Sequence, residues 1–255
     1  MSRRPLPETC GGPTVWLWCG HAIYLGPSLR LAPHSTSVYC LVVGLDAPFV
    51  LRVPGCPDVT LRSALVPPRS EHQVVAVGRR MMFCYFDSSS SRAGRCRDRM
   101  SGAIGAFAVD HRDEALLIAL GTGPRPDSYG ILACASGAVA GRIDGRIDGV
   151  TRTLRAHPSA TVSAAEFAQL AGLSRPYFLR LFAAEAGTSF RRYRLWARML
   201  QVAAATSKGA DLTRAAADAG FATPSHFSDA FRRMFGLSPS ALLGAGTEIV
   251  IEDGG

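Results

Sequence analysis

Lysine is almost missing from this chain: Lys208 stands alone among 28 basic residues, and arginine supplies the rest. We read that bias as genomic base composition and take nothing functional from it. Long apolar runs are missing too. The stretch from Val15 to Leu25 is broken by Gly20 and His21, whereas a spanning helix needs about 20 apolar residues. No membrane partner and no leader segment are therefore expected, and a cytoplasmic location is. Seven cysteines contain no C-x-x-C pair and make an odd count, which removes paired-cysteine metal frameworks and disulfide scaffolds from consideration. Reduced thiols acting as small buried hydrophobes are expected, with a thiol-based redox-responsive regulator as an alternative. Charged residues reach only 19% against 47% apolar, too few charges for a disordered chain and enough apolar surface for real cores.

The 255 residues suit two modest domains, and the net charge of +8 is unevenly spread. Residues 142–243 hold 14 basic and 7 acidic side chains, residues 1–141 hold 14 and 10, and the segment after 243 has 3 acidic ones and no basic one. The excess is densest in the C-terminal part, as a polyanion-binding module requires.

That part contains one short pattern twice. Phe178, Phe182 and Gly187 recur as Phe227, Phe231 and Gly236, each 49 positions on. Each copy reads as a short helix, a glycine turn, a polar cap and a second helix, which is the helix-turn-helix plan. Ser163 and Glu166 form a capping box opening the first helix, with Phe167 and Leu170 facing inward and Gly172 at the turn. Ser174 caps the second, whose aromatic stripe of Phe178, Leu181 and Phe182 leaves Pro176, Leu179, Arg180 and Ala183 on the opposite side. Ser189 caps a long helix to about Thr206, with Phe190, Tyr193, Ala197, Leu200 and Ala204 inside and Arg191, Arg194 and Arg198 alongside. In the second copy Phe227, Phe231 and Met234 point in while Ser225, Ser228, Asp229 and Arg232 point out. Ser238 and Pro239 start a last short helix.

Upstream, β-rich runs at Ala22–Leu25, Val38–Val43, Phe49–Val53, Val74–Val77 and Met81–Phe86 alternate with turn residues, predicting a small antiparallel sandwich or barrel. Gly94 to Arg99 reads as a basic loop, and Asp110–Gly121 and Tyr129–Ser136 as two helices bridging the domains. The duplication Gly141–Gly149 marks the junction, and from Ile147 the pattern turns helical until His157-Pro158.

Two helix-turn-helix units on one rigid helix would present two outward helices to successive major-groove segments, about 34 Å apart on B-DNA. Arg180 suits bidentate reading of guanine, for about 1–3 kcal/mol of discrimination. Leu179 and Pro176 offer apolar contact, and Thr223, Ser225, Ser228 and Asp229 complete the DNA-facing set on the second copy. Arg175, Arg192, Arg194, Arg232 and Arg233 suit phosphate anchoring, which fixes register without reading sequence.

The segment from Gly220 to Pro239 (GFATPSHFSDAFRRMFGLSP), with Ser174–Gly187 upstream, resembles the signature of AraC/XylS-type transcription regulators over residues 142–244. The resemblance implies a seven-helix DNA-binding domain acting on transcription initiation through contact with RNA polymerase. Leu179 and Pro176 depart from the commoner polar or aromatic residues there, leaving Arg180 as the first copy's reader. Ala64–His72 is similar, more weakly, to a cupin turn, and Pro33–Ser37 keeps one histidine of a cupin pair. This implies an α+β two-domain chain: a cupin-like effector-sensing or dimerisation domain (1–108), a helical linker (109–141), an AraC-type DNA-binding domain (142–244) and a flexible tail (245–255). His34 and His72 are the effector-pocket candidates. No metal site, cofactor or catalytic residue is expected. Double-stranded DNA, RNA polymerase and a small-molecule effector are the expected partners, with a homodimer left open. A cupin-type metal enzyme fused to a DNA-binding module is the further alternative; it lacks ligands, since a metal needs three or four.

Overall fold

The computed structural model describes residues 12–76, 78, 80–137 and 144–252. Its N-terminal part begins with strands β1 (Thr14–Trp18), β2 (His21–Pro27), β3 (Tyr39–Gly44) and β4 (Phe49–Arg52). Strands β5 (Val59–Leu61), β6 (Ser63–Val66), β7 (Gln73–Ala76) and β8 (Arg80–Phe86) follow. Helix α1 (Ser91–Arg97), strands β9 (Met100–Ile104) and β10 (Phe107–His111), and helices α2 (Glu114–Thr122) and α3 (Ser128–Ser136) complete it. Seven helices make the C-terminal part: α4 (Gly145–Ala156), α5 (Ala164–Leu170), α6 (Arg175–Glu185), α7 (Phe190–Ser207), α8 (Leu212–Asp218), α9 (Pro224–Phe235) and α10 (Pro239–Gly244). A last strand, β11 (Glu248–Ile251), returns to the N-terminal sheet.

The α+β two-domain class and the seven-helix C-terminal domain stand. The N-terminal sandwich pairs an eight-stranded sheet, ordered β11-β1-β2-β8-β3-β6-β10-β9, with a three-stranded one, β5-β4-β7. The pleat divides each central strand between two cores. Met81, Phe83 and Tyr85 of β8, with Cys40 and Val42 of β3, meet the small sheet's Phe49 and Leu51 and the helical Trp196 and Met199. Their neighbours Met82, Cys84, Phe86, Leu41 and Val43 meet Leu117, Ile131 and Leu132 of α2 and α3. Strands buried on both faces carry apolar residues at every position, which is why β2, β3 and β8 read as near-continuous hydrophobic runs.

Several sequence expectations change. Gly94–Arg99, expected as a loop, lies largely in α1, capped by Ser90 through the Arg92 amide. Helices α2 and α3, expected as a linker, are instead packed on the sheet and belong to its core. Their junction to α4 includes residues 138–143, which with Val77 lie outside the described residues. The segment 245–255, expected as a flexible tail, contains β11, paired in parallel with β1 from Thr14↔Glu248 to Leu17↔Ile251. Its alternation explains the docking: Ile249 packs against one core and Val250 against the other. Glu248 N–H donates to Pro13 O and Glu252 N–H to Leu17 O, and Ser128 donates to the Glu252 carboxylate.

The third core belongs to the first helix-turn-helix unit, where Phe178, Phe182, Phe190 and Tyr193 gather around Ile147 and Leu154. Phe182 meets Phe190 and Tyr193 edge to face at 5.4 Å, the favoured geometry for aromatic pairs.

Candidate nucleic-acid interface

The local signals that place the reading helices are short-range. Ser163 accepts from the Glu166 amide while Glu166 accepts from the Ser163 amide, closing the capping box of α5. Gly172, at φ +66°, makes the turn to α6. Ser174 occupies the N-cap of α6 without a side-chain cap bond, and Pro176 sits in the first turn. Thr223 caps α9 through the His226 amide, and Pro224 opens it. Gly236 ends α9 in the left-handed region, at φ +80°.

On α6, Phe178 and Phe182 are fully buried while Arg175, Pro176 and Arg180 are exposed. Leu179 is half-buried and packs on the first unit's core, so it is no free contact surface. Leu170, expected to face inward, is 80% exposed; in that last turn of α5 it is Phe167 and Ala168 that enter the aromatic core. On α9, Phe227, Ala230 and Met234 are buried, and Thr223, Ser225, Asp229, Arg232 and Arg233 are exposed. Ser228 is half-buried, at the margin of that outward face. His226 and Tyr177 are also exposed on these two helices, and the sequence reading passed over both.

Two of the expected phosphate anchors are engaged elsewhere. Arg192 donates from Nε to Asp87 at 2.5 Å and from a guanidinium nitrogen to Ser37 O at 3.4 Å. Arg194 donates to Val162 O at 3.0 Å and to Ala160 O, and lies over the Phe190 ring. Arg198 likewise donates to Pro158 O. Arg194 and Arg198 thus tie the 157–162 segment to α7, since a guanidinium near buried carbonyls satisfies acceptors that would otherwise go unpaired.

Asp87 was missed altogether. Its carboxylate is fully buried and accepts from Arg192 Nε, from Trp196 Nε1 at 2.9 Å, from Thr188 Oγ1 at 2.7 Å and from the Ser89 amide at 3.0 Å. A carboxylate just after β8 thereby pins the start and middle of α7. The only sequence signal was Asp87 preceding four serines, which reads as a turn. A second seam contact lies at the far unit: the Ser37 amide donates to Arg233 O at 2.6 Å, and His34 packs on Gly236.

His34 and His72 do come together. They form an isolated antiparallel bridge with ring centroids 4.6 Å apart, and both line a small cavity of about 20 Å³ with Arg30, Thr36 and Cys40. Each Nδ1 faces a backbone carbonyl, Ala32 O for His34 and Ser70 O for His72. Burial lowers the His72 pKa to about 4, so the ring is neutral at physiological pH. Among the described residues no three His, Cys, Asp or Glu side chains gather as a metal would need. Burial raises the Cys40, Cys84 and Cys134 thiols and pushes Cys96 up to about 12, which leaves little thiolate at neutral pH. Cys56 is exposed. Among the described residues no helix is long and apolar enough to cross a membrane.

Residues 167–245 match the family model described as a helix-turn-helix domain. The two segments that carry the AraC/XylS resemblance, Ser174–Gly187 and Gly220–Pro239, lie within that match. No curated protein matches the chain. Among solved structures, the apo form of a ToxT variant from Vibrio cholerae is 12% identical with a TM-score of 0.50, over 90% of this chain and 98% of that one. ToxT from Vibrio cholerae O395 is 13% identical with a TM-score of 0.50, over 89% and 98%. Likeness at this identity is likeness of fold, and it spans both domains.

Proposed function

We propose, from a chain whose C-terminal part forms an AraC-type helix-turn-helix domain, that it is a sequence-specific DNA-binding transcription regulator controlled by a small effector. The observation that carries the reading is the doubled unit itself. Helices α6 and α9 each bury an aromatic stripe and leave a polar, basic row outside: Arg175 and Arg180 on one, Ser225, Asp229, Arg232 and Arg233 on the other. Each helix carries a proline in its first turn after a polar N-cap, Pro176 in α6 and Pro224 in α9, which fixes where the helix starts and so where its outward row lies.

In this reading Arg180 reads a guanine, Asp229 accepts from cytosine or orients a neighbouring arginine, and Arg175, Arg232 and Arg233 hold phosphates. Arg192 and Arg194 leave the DNA-facing set, because their guanidinium groups are held against acceptors of the protein itself. RNA polymerase is the partner that turns binding into control of initiation. Selection of bound duplexes from random DNA tests the whole. The Arg180→Ala variant should relax preference at one position, a loss of about 1–3 kcal/mol of discrimination. The Arg232→Ala variant should weaken all sites alike and lower the salt slope by about one. Failure of the intact protein to enrich any sequence would remove the reading.

A further inference from the structure

Helices α1 and α3 meet at a pair of cations that has no acid beside it. Arg92, on α1, is only 7% exposed. Its guanidinium donates to Ser136 Oγ at 3.1 Å, and the Ser136 hydroxyl in turn donates to Leu132 O at 2.9 Å. Arg95, one turn on, is half-buried. It donates from Nε to Ser136 O at 2.9 Å and from Nη1 to Ser91 Oγ at 2.9 Å, while its Nη2 is buried with no acceptor. Both guanidinium groups thus converge on one residue, and among the described residues neither joins an ion pair. Burial and the neighbouring Arg95 push the Arg92 pKa down to about 10, so its charge is still present at neutral pH. The β1–β2 turn adds two buried rings, Trp18 and His21, stacked with centroids 4.9 Å apart. Trp18 Nε1 and His21 Nε2 have no hydrogen-bond partner. Burial, helped by the field of Arg92, holds His21 neutral with a pKa of about 3.

Helix α3 ends at Ser136, and a helix C-terminus supplies only roughly half a negative charge. Two guanidinium charges exceed that by a wide margin, and a buried charge without a counter-charge is costly. We propose that this cluster is an anion site, in which Arg92 and Arg95 together bind one small oxyanion over Ser136. A guanidinium is a planar fork that matches two oxygens of a carboxylate, phosphate or sulfate. Arg95, half-buried, gives the anion a way in, and Arg92 supplies the desolvated charge that holds it. The indole of Trp18 can only donate, which also suits an anion and excludes a metal cation. The site lies in the N-terminal domain, away from α6 and α9, and does not rest on the regulator reading.

Calorimetric melting of the full chain tests it, with sodium sulfate, phosphate or acetate added at an ionic strength held constant by sodium fluoride. The readout is the difference in Tm between the intact protein and Arg92→Met, which replaces the buried charge by an apolar chain. The general effect of sulfate on any fold does not depend on this site and is shared by the variant. A saturable difference is expected, reaching about 5 °C at a hundredfold excess over Kd. In fluoride alone Arg92→Met should melt no lower than the intact protein, because an unpaired buried charge adds no stability. Should Arg92→Met fail to fold, Arg95→Gln should weaken the response at least tenfold. An equal rise in a folded variant belongs to other arginines and overturns the site. A folded variant destabilised by the same amount with and without anion also overturns it, since Arg92 would then only cap α3. No saturable rise with any of the three salts does the same. Sulfate or phosphate binding ahead of acetate supports the site with an inorganic oxyanion in it, and acetate ahead supports it with the carboxylate of an organic acid.

Discussion

Replacing Asp87 by alanine would leave a guanidinium, an indole N–H and a threonine hydroxyl facing an apolar seam. Trp196 is almost fully buried, and an orphaned buried N–H costs about 1–3 kcal/mol. The Arg192 side chain is 24% exposed, so part of its charge regains water, and one nitrogen keeps Ser37 O. Breaking a buried ion pair from one side costs about 3–5 kcal/mol in general, and we expect a loss in that range for Asp87→Ala. Removing the arginine instead leaves a fully buried carboxylate held only by neutral donors, so Arg192→Ala should cost a similar amount. The double variant should then cost much less than the two single losses added together, the sign of direct coupling. Denaturant unfolding followed by tryptophan emission measures all three. The reasoning fails if Asp87→Ala costs under about 1 kcal/mol, or if the two single losses simply add. Arg192 as a phosphate anchor predicts the reverse pattern: unchanged stability and a salt slope of DNA binding reduced by about one.

Gly236→Ala should destabilise the second unit, because φ is +80° and an added Cβ would lie 2.1 Å from the His34 ring; the backbone part is about 1–2 kcal/mol, and adding His34→Ala should recover only the clash, read by thermal melting. Removing residues 247–255 should cost about 3 kcal/mol by unpairing β1 and uncovering Ile249 and Val250, with a matching fall in denaturation midpoint. Acid should weaken the fold before any carboxylate titrates. Burial holds His21 at about 3 and His72 at about 4, while both titrate near 6.5 once unfolded. The unfolded chain therefore binds protons first, and stability present above pH 6.5 is lost as pH falls towards 4. Moving from pH 7.5 to 5.5 should cost about 3 kcal/mol at most for the pair, and His21→Phe should remove about half of that pair's contribution in melting experiments. Arg194→Ala should loosen the 157–162 segment, visible as faster amide hydrogen exchange there, without changing the salt slope of DNA binding.

The sequence by itself determined the doubled helix-turn-helix and most of what it exposes. Those features depend on caps, prolines, left-handed glycines and a 3.6-residue aromatic period, all acting within a dozen residues. Gly236, Thr223 and the Ser163–Glu166 box needed no distant partner to be legible. Tertiary structure alone decided the rest. Strands such as β6, buried on both faces, show no alternation to read, so neither their pairing nor the sheet order could be foreseen. Segment 248–251 becomes a strand because the edge of β1, more than 200 residues earlier, offers unpaired backbone groups and two cores to its side chains. Arg192 and Arg194 look like any surface arginines along a helix. Their role is settled by which acceptor lies within reach: a buried carboxylate must find a cation, and Asp87 meets Arg192 only when the two domains close on each other.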